Sequence, residues 1–343
     1  MPSNLVVRAA CDADRPAWQG FVRAHAEATG YHDWAWREVI SRSFGHECVF
    51  LIGERDGRIE GVLPLVHIQS RLFGRSMTSL PFVNYGGVLA DTDAVGRALV
   101  DAATSEAVRR RCGHVELRHT GRRFGDLPCR QHKVAMWLAL TPDIWDRLDR
   151  KVRNQIRKAR KSGLVAFRGG SELLREFYAV FARNMRDLGT PVYPRRFFEE
   201  VLRTFPDNAQ VVVVRNAGEP VAAGISFRTG RMVEVPWASS VRNHNAQCPN
   251  HLLYWTVIES AVEEGCHTLD FGRSTPHEGT YRFKAQWGAE PLPLTWEYVL
   301  LQGSEVPDQS PKNPKYRLAV ATWRRLPLWV ANAAGPHIVR SIP

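Results

Sequence analysis

Nowhere does the sequence run to the ~20 consecutive apolar residues that a membrane-crossing helix needs. Its opening residues, MPSNLVVRAACDADRPAW, lack the basic flank and apolar stretch of a secretory signal. Both absences point to a soluble, cytoplasmic chain. Cysteine is sparse and scattered: Cys11, Cys48, Cys112, Cys129, Cys248 and Cys266 form no CxxC pair and have no histidine at metal-ligand spacing. Reduced thiols fit that pattern, and a structural metal does not. Acidic residues are also short, with 35 Asp and Glu against 46 Lys and Arg and a formal charge of +11. Such a surplus suits an anionic partner, whether nucleic acid, a phosphate-bearing substrate or an anionic membrane surface.

What is present is ample for folding. The chain has 343 residues, 44% of them hydrophobic, with 11 Trp, and that length suits two domains. The two halves repeat one order of elements. CVFLIGERDGRIEGVLPLVHI, from Cys48, reads as strand, turn and strand, and AQVVVVRNAGEPVAAGISFR, from Ala209, repeats it. Each hairpin places a glycine, Gly61 or Gly224, just into its second strand. Strand-like runs follow at Ser76–Leu89 and Met232–Val241, then amphipathic helices over Ala94–Arg111 and Asn250–Glu264, closed by Gly113 and Gly265. Short strands, His114–His119 and His267–Arg273, complete each copy. Strand–strand–strand–helix–strand, written twice, predicts a duplicated α/β unit of N-acetyltransferase (GNAT) order.

Between the copies lies a helical insert. Asp146–Gly163 carries Leu148, Val152, Ile156 and Ala159 on one face and eight cations on the others, among them Arg153, Arg157 and Lys158. Further helices are expected over Ser171–Asp187, with Ser171 as N-cap, and over Tyr193–Thr204. Gly303–Lys315 has the proline-rich composition of a linker. The basic, amphipathic tail after it suits either a final core helix or a segment resting on an anionic membrane. The domain reading is therefore 1–145, 146–206, 207–302 and 303–343.

Three motifs resemble one family. KVRNQIRKARKSGL, from Lys151, resembles the basic linker helix of FemAB-type transferases. LDFGRSTPHEGTYRFKAQWGAEP, from Leu269, is similar to their closing motif, and PNHLLYWTVIESAVEEG, from Pro249, to the helix before it. SRSFGHECVFL, RLFGRSMTSLPFVNYGGVL and FARNMRDLGTPVYPRRFF narrow the resemblance to the exosortase-associated FemAB-like group, from about Trp34 to Trp296. The resemblance implies tandem GNAT-like domains. It also implies transfer of an aminoacyl group, from aminoacyl-tRNA, to an amine of a peptidoglycan or exopolysaccharide precursor. An acyl-CoA donor is the alternative. The helix openings Asp91-Thr92-Asp93 and Gln247-Cys248-Pro249-Asn250 lack the glycine-rich loop that ordinarily holds the pyrophosphate of CoA, which counts against it. No further cofactor is expected. A reading of another class is a non-catalytic module that binds tRNA, a nucleotide sugar or a membrane surface.

Acyl transfer to an amine needs positive charge where the tetrahedral oxyanion develops. Lys284 falls on the family's lysine in YRFK and is the candidate for that role. Asp270, on the preceding strand, is placed to accept a proton from the attacking amine or to orient it, and Glu116 is its counterpart in the first copy. Asn84 and Tyr85, in a glycine-containing strand end, and Trp237, Arg273 and Tyr281 are candidate substrate contacts. Arg153, Arg157 and Lys158 are candidate phosphate contacts.

Overall fold

A computed structural model describes residues 4–70, 73–307 and 316–342. The chain divides into two compact units, Met1–His132 with Pro293–Asp308 and Arg340–Pro343, and Lys133–Leu292 with Gln309–Val339. These are not the contiguous blocks read from composition. The reason lies in strand pairing.

The first unit contains β1 (Val6–Ala9), α1 (Arg15–Ala24), α2 (Trp36–Phe44), β2 (Glu47–Arg55), β3 (Arg58–Ser70), β4 (Gly74–Ser79), β5 (Leu89–Ala90), α3 (Asp93–Arg109) and β6 (His114–His119). Antiparallel β1–β4 run in sequence, and β6 joins β4 in parallel, pairing Thr78 with Glu116. Beyond β6 the sheet is completed by residues from far along the chain. Thr295–Leu300, in β13 (Glu290–Leu300), pair antiparallel with His119–His114. A strand that a contiguous reading would give to the second copy therefore belongs to the first unit.

The second unit repeats the plan. It has β7 (Cys129–Ala139, from Lys133 on), α4 (Ile144–Arg147), α5 (Arg150–Lys161), β8 (Leu164–Gly169), α6 (Leu174–Leu188), α7 (Arg195–Thr204), β9 (Ala209–Asn216), β10 (Glu219–Thr229), β11 (Met232–Ser240), α8 (Pro249–Glu263), β12 (Thr268–Asp270) and α9 (Gly279–Ala285). β8–β11 are antiparallel neighbours, and β12 joins β11 in parallel, pairing Glu234 with Asp270. Here β7 fills the place after the last strand, pairing Trp137–Ala139 with Asp270–Thr268.

Local chemistry explains the repeat. Each hairpin turns through two residues of left-handed φ, Asp56-Gly57 and Ala217-Gly218, the geometry that matches strand twist. Gly61 and Gly224 lie where the helix of each copy crosses the sheet. A Cβ at Gly61 would stand 2.7 Å from Val95 Cγ1, and one at Gly224 would stand 3.4 Å from Leu253 Cδ2 and 3.1 Å from the Trp237 carbonyl. The absent side chains let α3 and α8 sit close to the strands.

The insert departs from one continuous helix. Leu148 is extended, so a short α4 ends there and α5 restarts behind Asp149, whose carboxylate accepts from the Lys151 N–H. Val152, Ile156 and Ala159 are buried as their spacing predicts. β8, which follows, is not foreseen from the composition. Ser171 opens a 3-10 turn rather than capping α6, and Gly170 precedes that turn as the cap. The proline-rich stretch lies outside the described residues from position 308 to 315. The tail forms α10 (Arg317–Trp323) and α11 (Leu328–Val339), and α11 packs on α6. Among the described residues, no helix is long and apolar enough to cross a membrane.

Gly61→Ala should lower stability by about 1–3 kcal/mol, the usual cost of forcing a group into a packed core, and reduce the thermal midpoint. Gly57→Ala, whose Cβ meets open space, carries only turn strain. Equal losses in a melting experiment would refute the close-approach explanation.

Candidate active site in the second unit

Strand order brings the two sequence-predicted catalytic residues into one buried cluster. Asp270, the last residue of β12, is fully buried, and its Oδ1 accepts the Gly272 N–H at 2.7 Å. Lys284, on α9, is 6% exposed and donates from Nζ to the carbonyls of Gly272 at 2.8 Å and Arg273 at 3.0 Å. Both side chains thus grip the segment immediately after β12, one through an N–H and one through carbonyls. Glu234 stands beside Asp270 in the register of the parallel pair and is also buried.

β7 holds the same segment from its other side. Phe271 N–H donates to the Met136 carbonyl at 2.9 Å, Val134 and Ser274 exchange backbone bonds at 3.0 and 2.8 Å, and Lys133 Nζ donates to Thr275 Oγ1 at 2.7 Å. A loop held this way keeps its geometry, which positioning chemistry requires.

Burial dominates the electrostatics. It pushes the Lys284 pKa from 10.5 down to about 8, against the pull of Asp270 and Glu234, while Arg273 adds to the fall. The Tyr254 phenol is raised well above its usual range by burial and then by the Asp270 charge. Its ring lies 5.0 Å from Phe271 and 5.6 Å from Phe283. His251, in the first turn of α8, stacks on Trp287 at 5.8 Å and is held down to about 4, first by burial and then by Lys151.

The basic helix α5 borders this region with one defined face. Lys151, Gln155 and Lys158 recur at helical spacing. Gln155 Oε1 accepts from the Cys248 thiol at the head of α8, Lys158 lowers that thiol's pKa against a rise caused by burial, and Lys151 acts on His251. Cations are thereby set beside the N-terminal turn of α8, where backbone N–H groups already favour negative charge. Arg157 and Lys158 are exposed, and Arg157 also lies over the Trp145 ring at 5.4 Å. Arg153 is half-buried, 3.9 Å from Asp146.

The remaining candidates divide between this cluster and other parts of the fold. Trp237 belongs to the core, its ring edge-on to Phe197 and Phe198 at 5.3 and 5.4 Å. Arg273 contributes its carbonyl to Lys284, and the Tyr281 ring lies 5.8 Å from His277. Asn84 and Tyr85 are buried in the first unit, with Tyr85 edge-on to Tyr31 at 5.2 Å. Their loop is held by Gly86 N–H to the Arg118 carbonyl and by Val88 N–H to His119 Nε2 at 2.9 Å. The other ring nitrogen of His119 is 2.7 Å from buried Glu297. Glu116, the counterpart of Asp270, also has a buried cation beside it: Arg118, at 2.7 Å, with its guanidinium 4.3 Å from the Trp296 centroid. Sequence reasoning missed Glu234, Lys133, Tyr254 and His251. Only Glu234 left a signal, a carboxylate in the apolar strand MVEVPW.

A base with a lower pKa folded than unfolded binds fewer protons when folded, so stability rises with pH between the two values. The penalty is present in full below about pH 8 and is relieved toward 10.5. From roughly pH 7.5 to 10 the native chain should gain about 1–3 kcal/mol relative to Lys284→Met. Parallel denaturation profiles for the two proteins would contradict the buried-ammonium assignment.

Comparisons with known proteins bear on the fold. Residues 147–285 match the acetyltransferase (GNAT) domain family. Comparison with curated proteins finds no match. Among solved structures, FemX is 16% identical over 92% of this chain and 100% of its own, with a TM-score of 0.66. A tandem GNAT protein from the clavulanic acid biosynthesis pathway is 15% identical over 88% and 99%, with a TM-score of 0.55. The C-terminal domain of a putative lysylphosphatidylglycerol synthetase from Agrobacterium fabrum is 12% identical over 85% and 92%, also at 0.55. Two units of one topology, each completed by a strand from beyond its own repeat, give this chain a tandem fold like that of FemX and the tandem GNAT protein, and residues 147–285 belong to the acetyltransferase (GNAT) domain family.

Proposed function

We propose that this enzyme transfers an aminoacyl group from aminoacyl-tRNA to an amine of a cell-envelope precursor on the cytoplasmic side of the membrane. The observation that carries the reading is α5. Its apolar residues are buried, while Arg150, Lys151, Arg157, Lys158, Arg160 and Lys161 are all exposed. A helix this rich in exposed cations is costly in isolation and is relieved by a polyphosphate. The free amine of the acceptor attacks the ester carbonyl, the tetrahedral oxyanion collapses, and the tRNA 3′ oxygen leaves with a proton. In this reading Lys284 and Asp270 are positioning residues. They fix the Gly272–Thr275 segment, and the ammonium adds positive potential where the oxyanion forms.

A second reading, acyl-CoA as donor, is favoured by one feature: Lys151 and Lys158 flank the N-terminal turn of α8, an arrangement suited to a compact pyrophosphate. Incubation with charged tRNA and, separately, with labelled acyl-CoA, read by mass spectrometry of amine acceptors, separates the two. Transfer from tRNA alone supports the first, transfer from CoA alone supports the second, and transfer from neither across a broad acceptor panel defeats both.

Replacing Lys151, Arg157 and Lys158 together by Ser should weaken tRNA binding and reduce the slope of log affinity against log salt by roughly 0.7–0.9 for each phosphate left without its cation. An unchanged slope would return α5 to an ordinary solvated face. Lys284→Met should cut turnover by at least ~100-fold, the scale of losing one oxyanion-stabilising group, while leaving the α5-dependent binding intact. Near-native turnover would remove Lys284 from the mechanism.

A further inference from the structure

The tail helices α10 and α11 carry a surface that the transfer chemistry does not use. From Tyr316 to Pro343 the sequence contains Arg317, Arg324, Arg325 and Arg340 and no Asp or Glu. Within the second unit α10 and α11 each dock along one side. Val320 of α10 lies so close to Gly189, at the end of α6, that a Cβ there would sit 2.6 Å from Val320 Cγ1. Arg324 Nη2 donates to the Leu188 carbonyl at 3.3 Å, and Arg186 donates to the Leu326 carbonyl at 3.0 Å. Along α11 the buried residues are Ala331, Gly335 and Val339, a stripe of period four.

The opposite sides are apolar and open. Leu318 precedes Val320 by two residues, and Trp329 precedes Ala331 by two. In a helix, two residues turn through about 200°, so each points away from the side that docks. Leu318 is 80% exposed and Trp329 74%, more than any other large hydrophobic residue described. Leu188, beside Arg324, is 45% exposed. Arg317, Arg324 and Arg325 are exposed around them.

We propose that α10 and α11 form a docking surface for an anionic lipid bilayer, with Trp329 and Leu318 entering the headgroup boundary and Arg317 and Arg325 meeting lipid phosphates. A large indole and a leucine held out in water gain from burial in that boundary, and Trp is suited to it because its ring is apolar with one polar edge. The arginines match the negative potential of an anionic leaflet. A nucleic acid would pair with the same arginines but would give Leu318 no apolar environment, so the lipid surface fits more of the patch. The surface is independent of α5 and of the donor.

The test is co-sedimentation of the full chain with vesicles of phosphatidylcholine alone and of phosphatidylcholine with about one-third phosphatidylglycerol. Binding to the anionic vesicles and not to the neutral ones is expected. At about fivefold per arginine, Arg317→Ser with Arg325→Ser should weaken it ~25-fold. Leu318→Ser with Trp329→Ser should weaken it by at least ~10-fold while leaving the charges in place. Circular dichroism of each variant checks that the fold is kept, and the tryptophan emission of the native chain should shift to the blue on binding, a shift that the Trp329→Ser variant loses. Failure to bind anionic vesicles, preference for random-sequence duplex DNA over them, or unchanged binding in the Leu318 and Trp329 variant would each overturn the proposal.

Discussion

An ammonium removed from water must be surrounded by oxygen, and the second unit is arranged around that requirement. Lys284 donates to the Gly272 and Arg273 carbonyls, and Asp270 and Glu234 supply the opposing charge. Desolvation still outweighs the attraction, as the fall in its pKa records. The cluster therefore costs stability when considered alone. Its return is a segment after β12 whose Gly272 and Arg273 carbonyls are held by a charged side chain and whose Phe271 and Ser274 N–H groups are held by β7.

The same solution occurs in the first unit with different residues. Glu116 stands where Asp270 stands in its own copy, third in the short parallel strand, and Arg118 takes the place of the lysine as its buried cation. Arginine satisfies the carboxylate directly and stacks on Trp296, whereas Lys284 reaches backbone carbonyls. Removing Arg118 would leave the buried Glu116 carboxylate uncompensated, a loss typically worth about 3–5 kcal/mol. The two copies thus share an electrostatic plan carried by different residues. In the second unit the cluster shares its core with the cationic helix α5.

α5 separates two tasks by helical phase. Val152, Ile156 and Ala159 bind it to the core of its unit, and Lys151, Gln155 and Lys158 border the head of α8. A single helix with an apolar stripe can therefore present cations at a fixed place without their charge entering the core. The tail helices use the same division, with a small-residue stripe inward and Trp329 outward.

Much of this was legible from residue order. The two hairpins, the placing of Gly61 and Gly224, the helices that became α3 and α8, the burial of Val152, Ile156 and Ala159, and the tandem GNAT-like plan all follow from local periodicity and turn chemistry, which are written within a few residues of each other. Lys284 and Asp270 were found by motif, but their motif does not say that both are buried or that they grip the same loop. The exchange of strands was invisible, because the pairing of Thr295 with His119 and of Thr268 with Ala139 joins residues more than a hundred positions apart. Burial depends equally on distant neighbours. Trp237 is a core residue only because α7 brings Phe197 and Phe198 against it, and Lys133 reaches Thr275 only because β7 enters the second unit. Local sequence thus determined the elements and their faces, while tertiary packing decided which charges left water and what they came to hold.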